Sequence, residues 1–227
     1  MSKWIDYIKL FWYFGANWNF RLAWFMIVHE IRGEKKYHIN TTAPIELPDL
    51  TIQKGDIAKS SRYEAVNYFI LESLLQKMKT TDEVSSFSDL GCGKGRALVV
   101  AAHFGFTKLK GIDFAKEVCD EASNNMQSLK EIFPNIHYEI ICSNVTDYAV
   151  EPWESVFFMF NPFDKEIIEI FLEKVEASLD SFPRTIYFLY ASPRHIETFF
   201  EFEYEPVYRK RKLKWLDGVI LKKEAII

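Results

Sequence analysis

Asp89 stands two residues ahead of the first of three glycines in "DLGCGKGRA" (89–97). Gly91, Gly93 and Gly95 let the backbone turn tightly and leave no Cβ between the chain and a ligand. A helix starting near Arg96 would point its unpaired amides at that loop. Three chemistries compete for it. A phosphate-binding loop needs Ser or Thr after Gly93-Lys94, where Gly95 stands, and Ser88 occupies the place of its first glycine. A dinucleotide fingerprint needs a glycine at 96, which is arginine. The remaining pattern, acid-x-G-x-G-x-G, puts Asp89 where a cationic ligand would be met, a charge that a loop facing a pyrophosphate would avoid. Asp113 follows at the end of "KLKGID", where a carboxylate at the carboxyl end of a strand can accept both hydroxyls of a ribose. The plainer alternative is a glycine-rich turn with two capping aspartates.

A second constellation lies in "SVFFMFNPFD" (155–164), where an apolar run ends abruptly in Asn161-Pro162. The Asn161 side-chain carbonyl and the backbone carbonyl beside Pro162 offer two acceptors for the N–H groups of a planar or primary amine. Proline fixes the turn and removes a competing donor. The alternative is that Asn161 merely caps the next element, although Asp164 is already a good helix cap. Cys92 lies inside the glycine loop without a base beside it, so it reads as a small filler. His29, His38, His103, His137 and His195 show no ligand-spaced pair, and no metal is expected.

The surrounding pattern must position these groups. From residue 84 strand-like runs ("VSSFSDL", "KLKGID", "IHYEIIC", 155–161, "TIYFLYA") alternate with helical ones. That alternation implies parallel pairing with right-handed crossovers, an α/β doubly wound sheet covered on both faces. One helix, entered through Asp164, buries Ile167, Ile168, Phe171, Leu172, Val175 and Leu179; another follows Ser192 with Pro193 at its first position. Upstream, Ser61-x-x-Glu64 reads as a capping box for a helix with Val66, Phe69, Ile70, Leu74 and Met78 on one face. The tail breaks the alternation: two strand-like runs meet near Asp217-Gly218, a hairpin signal. Residues 33–56 carry no sustained period and read as an irregular connection. The expected division is an N-terminal helical and irregular extension, 1–57, before a main domain, 58–227.

The chain has 227 residues, 48% of them apolar, and a net charge of −4 with both signs mixed. Nothing in that balance points to non-specific nucleic-acid binding. The run "RKRKLK" (209–214) is the densest positive patch, and charges of this kind on a strand also discourage edge-to-edge association. Three cysteines without CxxC spacing argue for reduced thiols and a cytoplasmic protein. Residues 10–31 are rich in aromatic side chains but too interrupted by polar ones to span a bilayer. They read as a pair of helices whose aromatic faces pack on the main domain, with peripheral membrane contact through 4–31 as the sharper alternative.

"DLGCGKG", "GIDF", "FNPF" and the terminal hairpin together resemble the class I S-adenosylmethionine-dependent methyltransferases, over roughly residues 58–224. The resemblance implies a mostly parallel seven-stranded sheet ending in an antiparallel hairpin, with S-adenosylmethionine as cofactor and S-adenosylhomocysteine as product. It implies that 89–95 takes the methionine part, Asp113 the ribose, and that Phe114 lies beside the adenine. Where the family usually has an acid after the third strand this chain has "CSNVTD"; Asn144, with Val145 beside it, fills the place best, and Asp147 is the substitute. The chain is also similar to a bacterial group of poorly characterised methyltransferases with "NPF" after the fourth strand, through "YHINT" (37–41) and "RYEA" (62–65). That likeness implies that Tyr63 closes over the carboxylate end of the cofactor.

The function this implies is methyl transfer to an unidentified acceptor, an amine or amide nitrogen of a small molecule or protein, with Asn161 and Phe163 at the acceptor side. Enzymes of this fold acting on adenine or glutamine nitrogen carry Asn-Pro-Pro-aromatic; a single proline here brings Phe163 one position nearer. Acceptor specificity would lie in the added segment, 1–60. A cofactor-binding domain without turnover, whose aromatic segment docks a partner or membrane, is the second reading. A nicotinamide-dependent oxidoreductase is the third.

Overall fold

A computed structural model describes residues 3–42, 65–80, 84–161 and 163–225. Two helices open it, α1 (Lys3–Asn17) and α2 (Phe20–Tyr37), and α3 (Tyr68–Lys79) leads into the sheet. The alternation runs β1 (Ser86–Leu90), α4 (Arg96–His103), β2 (Lys108–Asp113), α5 (Lys116–Ile132), β3 (His137–Cys142), β4 (Val156–Phe160), α6 (Lys165–Ser181), β5 (Ile186–Ala191) and α7 (Ile196–Glu201). It closes on β6 (Glu205–Lys212) and β7 (Leu216–Lys223). The sheet order is β3-β2-β1-β4-β5-β7-β6. Strands β1 to β5 pair in parallel, and β7 runs antiparallel to both β5 and β6. This is the expected seven-stranded, doubly wound sheet with its terminal hairpin. The winding reverses between β1 and β4, and ligands in such sheets sit in the crevice at that reversal.

The apolar run of β4 follows from its place at the centre. Val156 and Phe158 face the layer of α3, α4 and α5, while Phe157 and Met159 face α6 and α7. Successive side chains of a strand point to opposite faces, so a strand covered on both sides needs no polar residue. Phe157 stacks on Phe188 with ring centroids 5.2 Å apart and meets Phe171 edge-on at 5.4 Å. The Asp164 side chain accepts from the Ile167 N–H at 3.1 Å and starts α6 as expected. On that helix Ile168, Phe171, Leu172 and Val175 are fully buried, with Ile167 and Leu179 packed at the margin.

Four expectations about the elements are corrected. α3 begins at Tyr68, capped by Asn67, whose Oδ1 accepts from the Phe69 N–H at 3.0 Å. Val66 therefore precedes the helix, and its carbonyl accepts from Arg96 Nη1 at 2.8 Å; Ser61 and Glu64 lie outside the described residues. α2 continues to Tyr37, so the start of the connection expected over 33–56 is helical. The hairpin turns at 213–215, not at Asp217-Gly218, because Leu213 (φ 51°) and Lys214 (φ 65°) take the left-handed conformation of tight hairpin turns. Gly218 lies instead in β7 beneath α3, where a Cβ would come within 2.7 Å of Ile70. Pro193 is not the first residue of α7: the chain makes a turn from Ser192 (φ 52°), and the helix starts at Ile196.

Candidate functional site

The N-terminal helices are fastened to the glycine loop by one buried arginine. Arg96, the first residue of α4, donates from Nη1 to Glu30 Oε2 of α2 at 2.9 Å and from Nη2 to Glu30 Oε1. Its Nε donates to Thr41 Oγ1 at 2.7 Å, and its guanidinium lies 4.2 Å from the Tyr68 ring centroid. Arg96 and Glu30 are both buried. Behind this pair Glu34, also buried, accepts from Tyr7 of α1 and from Thr42. Gly33 lets α2 approach α3, because a Cβ there would stand 2.3 Å from the Tyr68 ring. The residue that breaks the dinucleotide fingerprint is thus the bolt between the extension and the loop.

The loop itself is shaped by three left-handed glycines, Gly91 (φ 80°), Gly93 (φ 50°) and Gly95 (φ 79°). The N–H groups of Gly91 and Cys92 donate to the Ile112 carbonyl at 2.8 and 3.0 Å, which ties the loop to β2. Lys94 is buried and turned away onto α5, pairing with Glu121 at 2.9 Å, so it does not act as the reaching lysine of a phosphate loop. Burial pushes the Cys92 thiol well above its ordinary range, and it stays a neutral filler.

The two aspartates differ. Asp113 Oδ2 accepts from the Gly93 N–H at 2.9 Å and Oδ1 from the Ala115 N–H at 3.1 Å. This is the capping role weighed above, and it leaves lone pairs on both oxygens. Burial raises its carboxyl, an effect opposed by backbone donors at Ala115, Gly93 and Phe114. Asp89 is 3% exposed, and no donor or cation among the described residues reaches its carboxylate. Burial, then the nearby charge of Asp113, raises it well above the usual carboxylate range. A buried, unpartnered acid is costly unless something cationic or a proton meets it.

At the other side of the sheet reversal, β4 and β5 end side by side, with Phe160 opposite Ala191. The next residues, Asn161 (φ 44°) and Ser192 (φ 52°), are both left-handed. Asparagine tolerates that conformation better than most side chains. Asn161 Oδ1 accepts from the Tyr190 hydroxyl at 3.3 Å, and that hydroxyl accepts from the His195 N–H at 3.4 Å. Burial raises the Tyr190 phenol, which keeps it a donor to Asn161. Pro162 lies outside the described residues.

One cavity of about 690 Å³ joins these features. Gly91, Asp113, Phe114, Asn144, Val145, Asn161 and Phe163 line it. Among the expected site residues, Asp89, Gly93 and Gly95 are not in the described wall and stand behind it; Tyr63 lies outside the described residues. Asn144 rather than Asp147 reaches the wall, and its Oδ1 accepts from the Thr146 N–H at 3.1 Å. Sequence reasoning missed a further part of the wall: Tyr13, Phe14 and Trp18 of the extension, Met26 of α2, and Trp215 at the hairpin turn. The density of aromatic residues before position 25 is the signal that could have found Tyr13, Phe14 and Trp18. Among the described residues no three His, Cys, Asp or Glu side chains gather as a metal site, and no helix is long and apolar enough to cross a membrane.

No protein-family model matches the sequence, and no curated protein matches it. Solved structures do. A proposed RNA methyltransferase from Pyrococcus horikoshii is similar with a TM-score of 0.54 and 16% identity, over 86% of this chain and 97% of that one. A SAM-dependent methyltransferase from Aquifex aeolicus follows at 0.52 and 16%, over 67% and 88%. The tRNA (uracil-54, C5)-methyltransferase of Pyrococcus abyssi, solved with S-adenosyl-L-homocysteine, gives 0.50 and 15%, over 70% of this chain and 39% of that one. At these identities the likeness is one of architecture: the chain has the fold of the class I methyltransferases.

Proposed function

We propose that the protein is an S-adenosylmethionine-dependent methyltransferase acting on an amine or amide nitrogen. The observation that carries this is Asp89, a buried carboxylate without a described partner, two residues ahead of the left-handed Gly91, which with Asp113 lines a cavity that continues to Asn161. A cationic amino group meets that need, whereas a pyrophosphate would aggravate it. In this reading Asp89 and the loop hold the methionine end, Asp113 the ribose hydroxyls with its remaining lone pairs, and Phe114, Asn144 and Val145 the base. Tyr63 is assigned to the carboxylate end by the family likeness alone, as is membership of the bacterial group with the "NPF" motif.

When bound, S-adenosylmethionine supplies a methyl group whose C–S bond breaks as the acceptor nitrogen's lone pair forms the C–N bond, leaving a neutral thioether. Asn161, held by Tyr190, orients the acceptor by accepting from its N–H and leaves the lone pair free. Asparagine takes no proton, so the one displaced from nitrogen passes to water. Positioning supplies most of the rate in such a displacement. The test is isothermal titration with S-adenosylhomocysteine: the wild type binds, and Asp89→Ala and Asp113→Ala lose binding at least tenfold. Unchanged affinity in both variants, or preferential binding of NADH, overturns the cofactor assignment. Asn161→Gly, which tolerates the left-handed backbone, is expected to bind normally and to lose thioether production with cell extract.

A second reading has one observation in its favour. Trp4, Ile8 and Trp12, four residues apart on α1, are exposed, as are Phe20 of α2, whose ring lies 5.9 Å from that of Trp12, and Trp24. Tryptophan-rich helix faces suit the membrane–water interface. Sedimentation with phosphatidylcholine–phosphatidylglycerol vesicles, lost in a Trp12→Ser/Trp24→Ser variant, is the outcome that would establish surface docking.

A further inference from the structure

The cavity has two chemically distinct halves. Gly91, Asp113, Phe114 and Asn144 form the polar half, next to β1, β2 and β3. On the Asn161 side the described wall is mostly rings and aliphatic groups, Phe14, Trp18, Met26, Phe160, Phe163 and Trp215, with Asn67, Ser192, Arg194 and Asp217 among them. Phe14 and Trp18 pack at 5.6 Å between ring centroids, and Tyr13 and Trp18 at 5.8 Å, so the α1 side of this half is a cluster of mutually braced rings.

Charge in the wall narrows what can enter. Among the described lining residues beyond Asn161, Arg194 is the cation and Asp217 the acid, and no lysine contributes. Asp217 is already engaged by Arg209, at 3.0 and 2.6 Å, and by Arg211 at 3.2 Å. Its carboxyl is held below the usual range by those arginines despite the opposing effect of burial. Among the described residues a lysine ammonium entering here would find no open counter-charge, and a nucleic-acid strand would need a basic track for its phosphates. The whole cavity, about 690 Å³, is within the ~300–1,000 Å³ of small-ligand sites, and with the cofactor occupying the polar half the remaining room suits a small acceptor.

On the methyl-transfer reading, we propose that the acceptor is a flat, largely apolar small molecule bearing a neutral nitrogen, such as an aromatic amine, enclosed between the rings of the α1–α2 pair and the end of β4. Its ring lies among Trp18, Phe163 and Trp215, where aromatic faces stack favourably. Its N–H donates to Asn161 Oδ1, the polar group at the junction of the two halves. A neutral aromatic amine needs no base to free its lone pair before transfer, which agrees with a junction built from an amide and a phenol.

The test uses the full chain and 6-aminoquinoline, a flat fluorescent amine that is neutral at its exocyclic nitrogen near pH 7. With S-adenosylhomocysteine present, the fluorescence titration is expected to show saturable binding, weakened at least tenfold by Trp18→Ala and by Trp215→Ala. Neither variant should change S-adenosylhomocysteine affinity, because both residues lie outside the polar half. Absence of probe binding while S-adenosylhomocysteine binds overturns the acceptor class and leaves the methyltransferase reading standing. Methylation of bulk RNA or protein by the wild type, undiminished in both variants, overturns it equally. Loss of S-adenosylhomocysteine binding by the wild type itself removes the reading on which the proposal rests.

Discussion

Replacing Arg96 by methionine is expected to destabilise the protein by about 3–5 kcal/mol, the cost of leaving a buried charge uncompensated when its partner is removed. The structure shows where that figure comes from. Methionine roughly preserves the packing against Tyr68, so little of the loss is a cavity. Glu30 keeps the Thr42 hydroxyl, 2.7 Å away, as its described donor, but loses both guanidinium bonds. Thr41 Oγ1 and the Val66 carbonyl each lose a donor as well, worth about 0.5–1.5 kcal/mol apiece. In a chain of this length about 2–4 °C of Tm corresponds to each kcal/mol, so the melting temperature should fall by about 6–20 °C. Adding Glu30→Leu removes the stranded carboxylate, and the double variant should recover most of the stability, since an apolar pair of similar volume often replaces a buried ion pair without loss. Urea unfolding of wild type, both single variants and the double variant, followed by circular dichroism near pH 7, closes the cycle. An Arg96→Met variant within 1 kcal/mol of wild type, or two single effects that simply add, would refute the claim that this pair is desolvated and coupled.

Asp89→Asn should make the ligand-free protein more stable while abolishing S-adenosylhomocysteine binding. The Asp89 carboxyl is raised on folding, so its contribution favours the fold at low pH and is lost as pH rises through the folded value. The advantage of the Asn variant should therefore be smallest near pH 4 and grow upward, read as a difference in Tm across a pH series; a constant difference would contradict the buried charge. Gly33→Ala puts a methyl into the Tyr68 ring and should cost about 1–3 kcal/mol, although alanine is the better helix former, and Tyr68→Leu in the same chain should relieve part of it; a stabilised Gly33→Ala protein would mean that α2 does not approach α3 this closely.

The sheet was legible because its signals are local or periodic. Each strand from "KLKGID" to "TIYFLYA" has turn residues at its ends, β4 and β5 are buried along nearly their whole length while β3 is a half-exposed edge, and the glycine loop needs only backbone freedom. What escaped was decided by contacts between distant segments. Gly218 looked like a turn residue but is small because Ile70 and Leu74 of α3 cover it. The capping box at Ser61 looked stronger than Asn67, yet Arg96 takes the Val66 carbonyl out of any helical ladder there. Pro193 resembled a first helical residue until the left-handed Ser192 redirected the chain. The aromatic half of the cavity was legible only as an excess of rings: periodicity shows that α1 and α2 are helices but not which of their faces meets Asn161.

The α1–α2 pair walls the apolar half of the cavity and is joined through Glu30 to the first residue of the helix that follows the glycine loop. Two occupancies that act on one mechanical unit form a closed thermodynamic cycle. If an occupant of the apolar half alters affinity in the polar half by some factor, the reverse effect must have the same factor. Such reciprocity is measurable in either direction, with the acceptor's identity entering only as the size of the factor. The extension is in that sense a shared boundary of two equilibria, and its anchor sets how much each can know of the other.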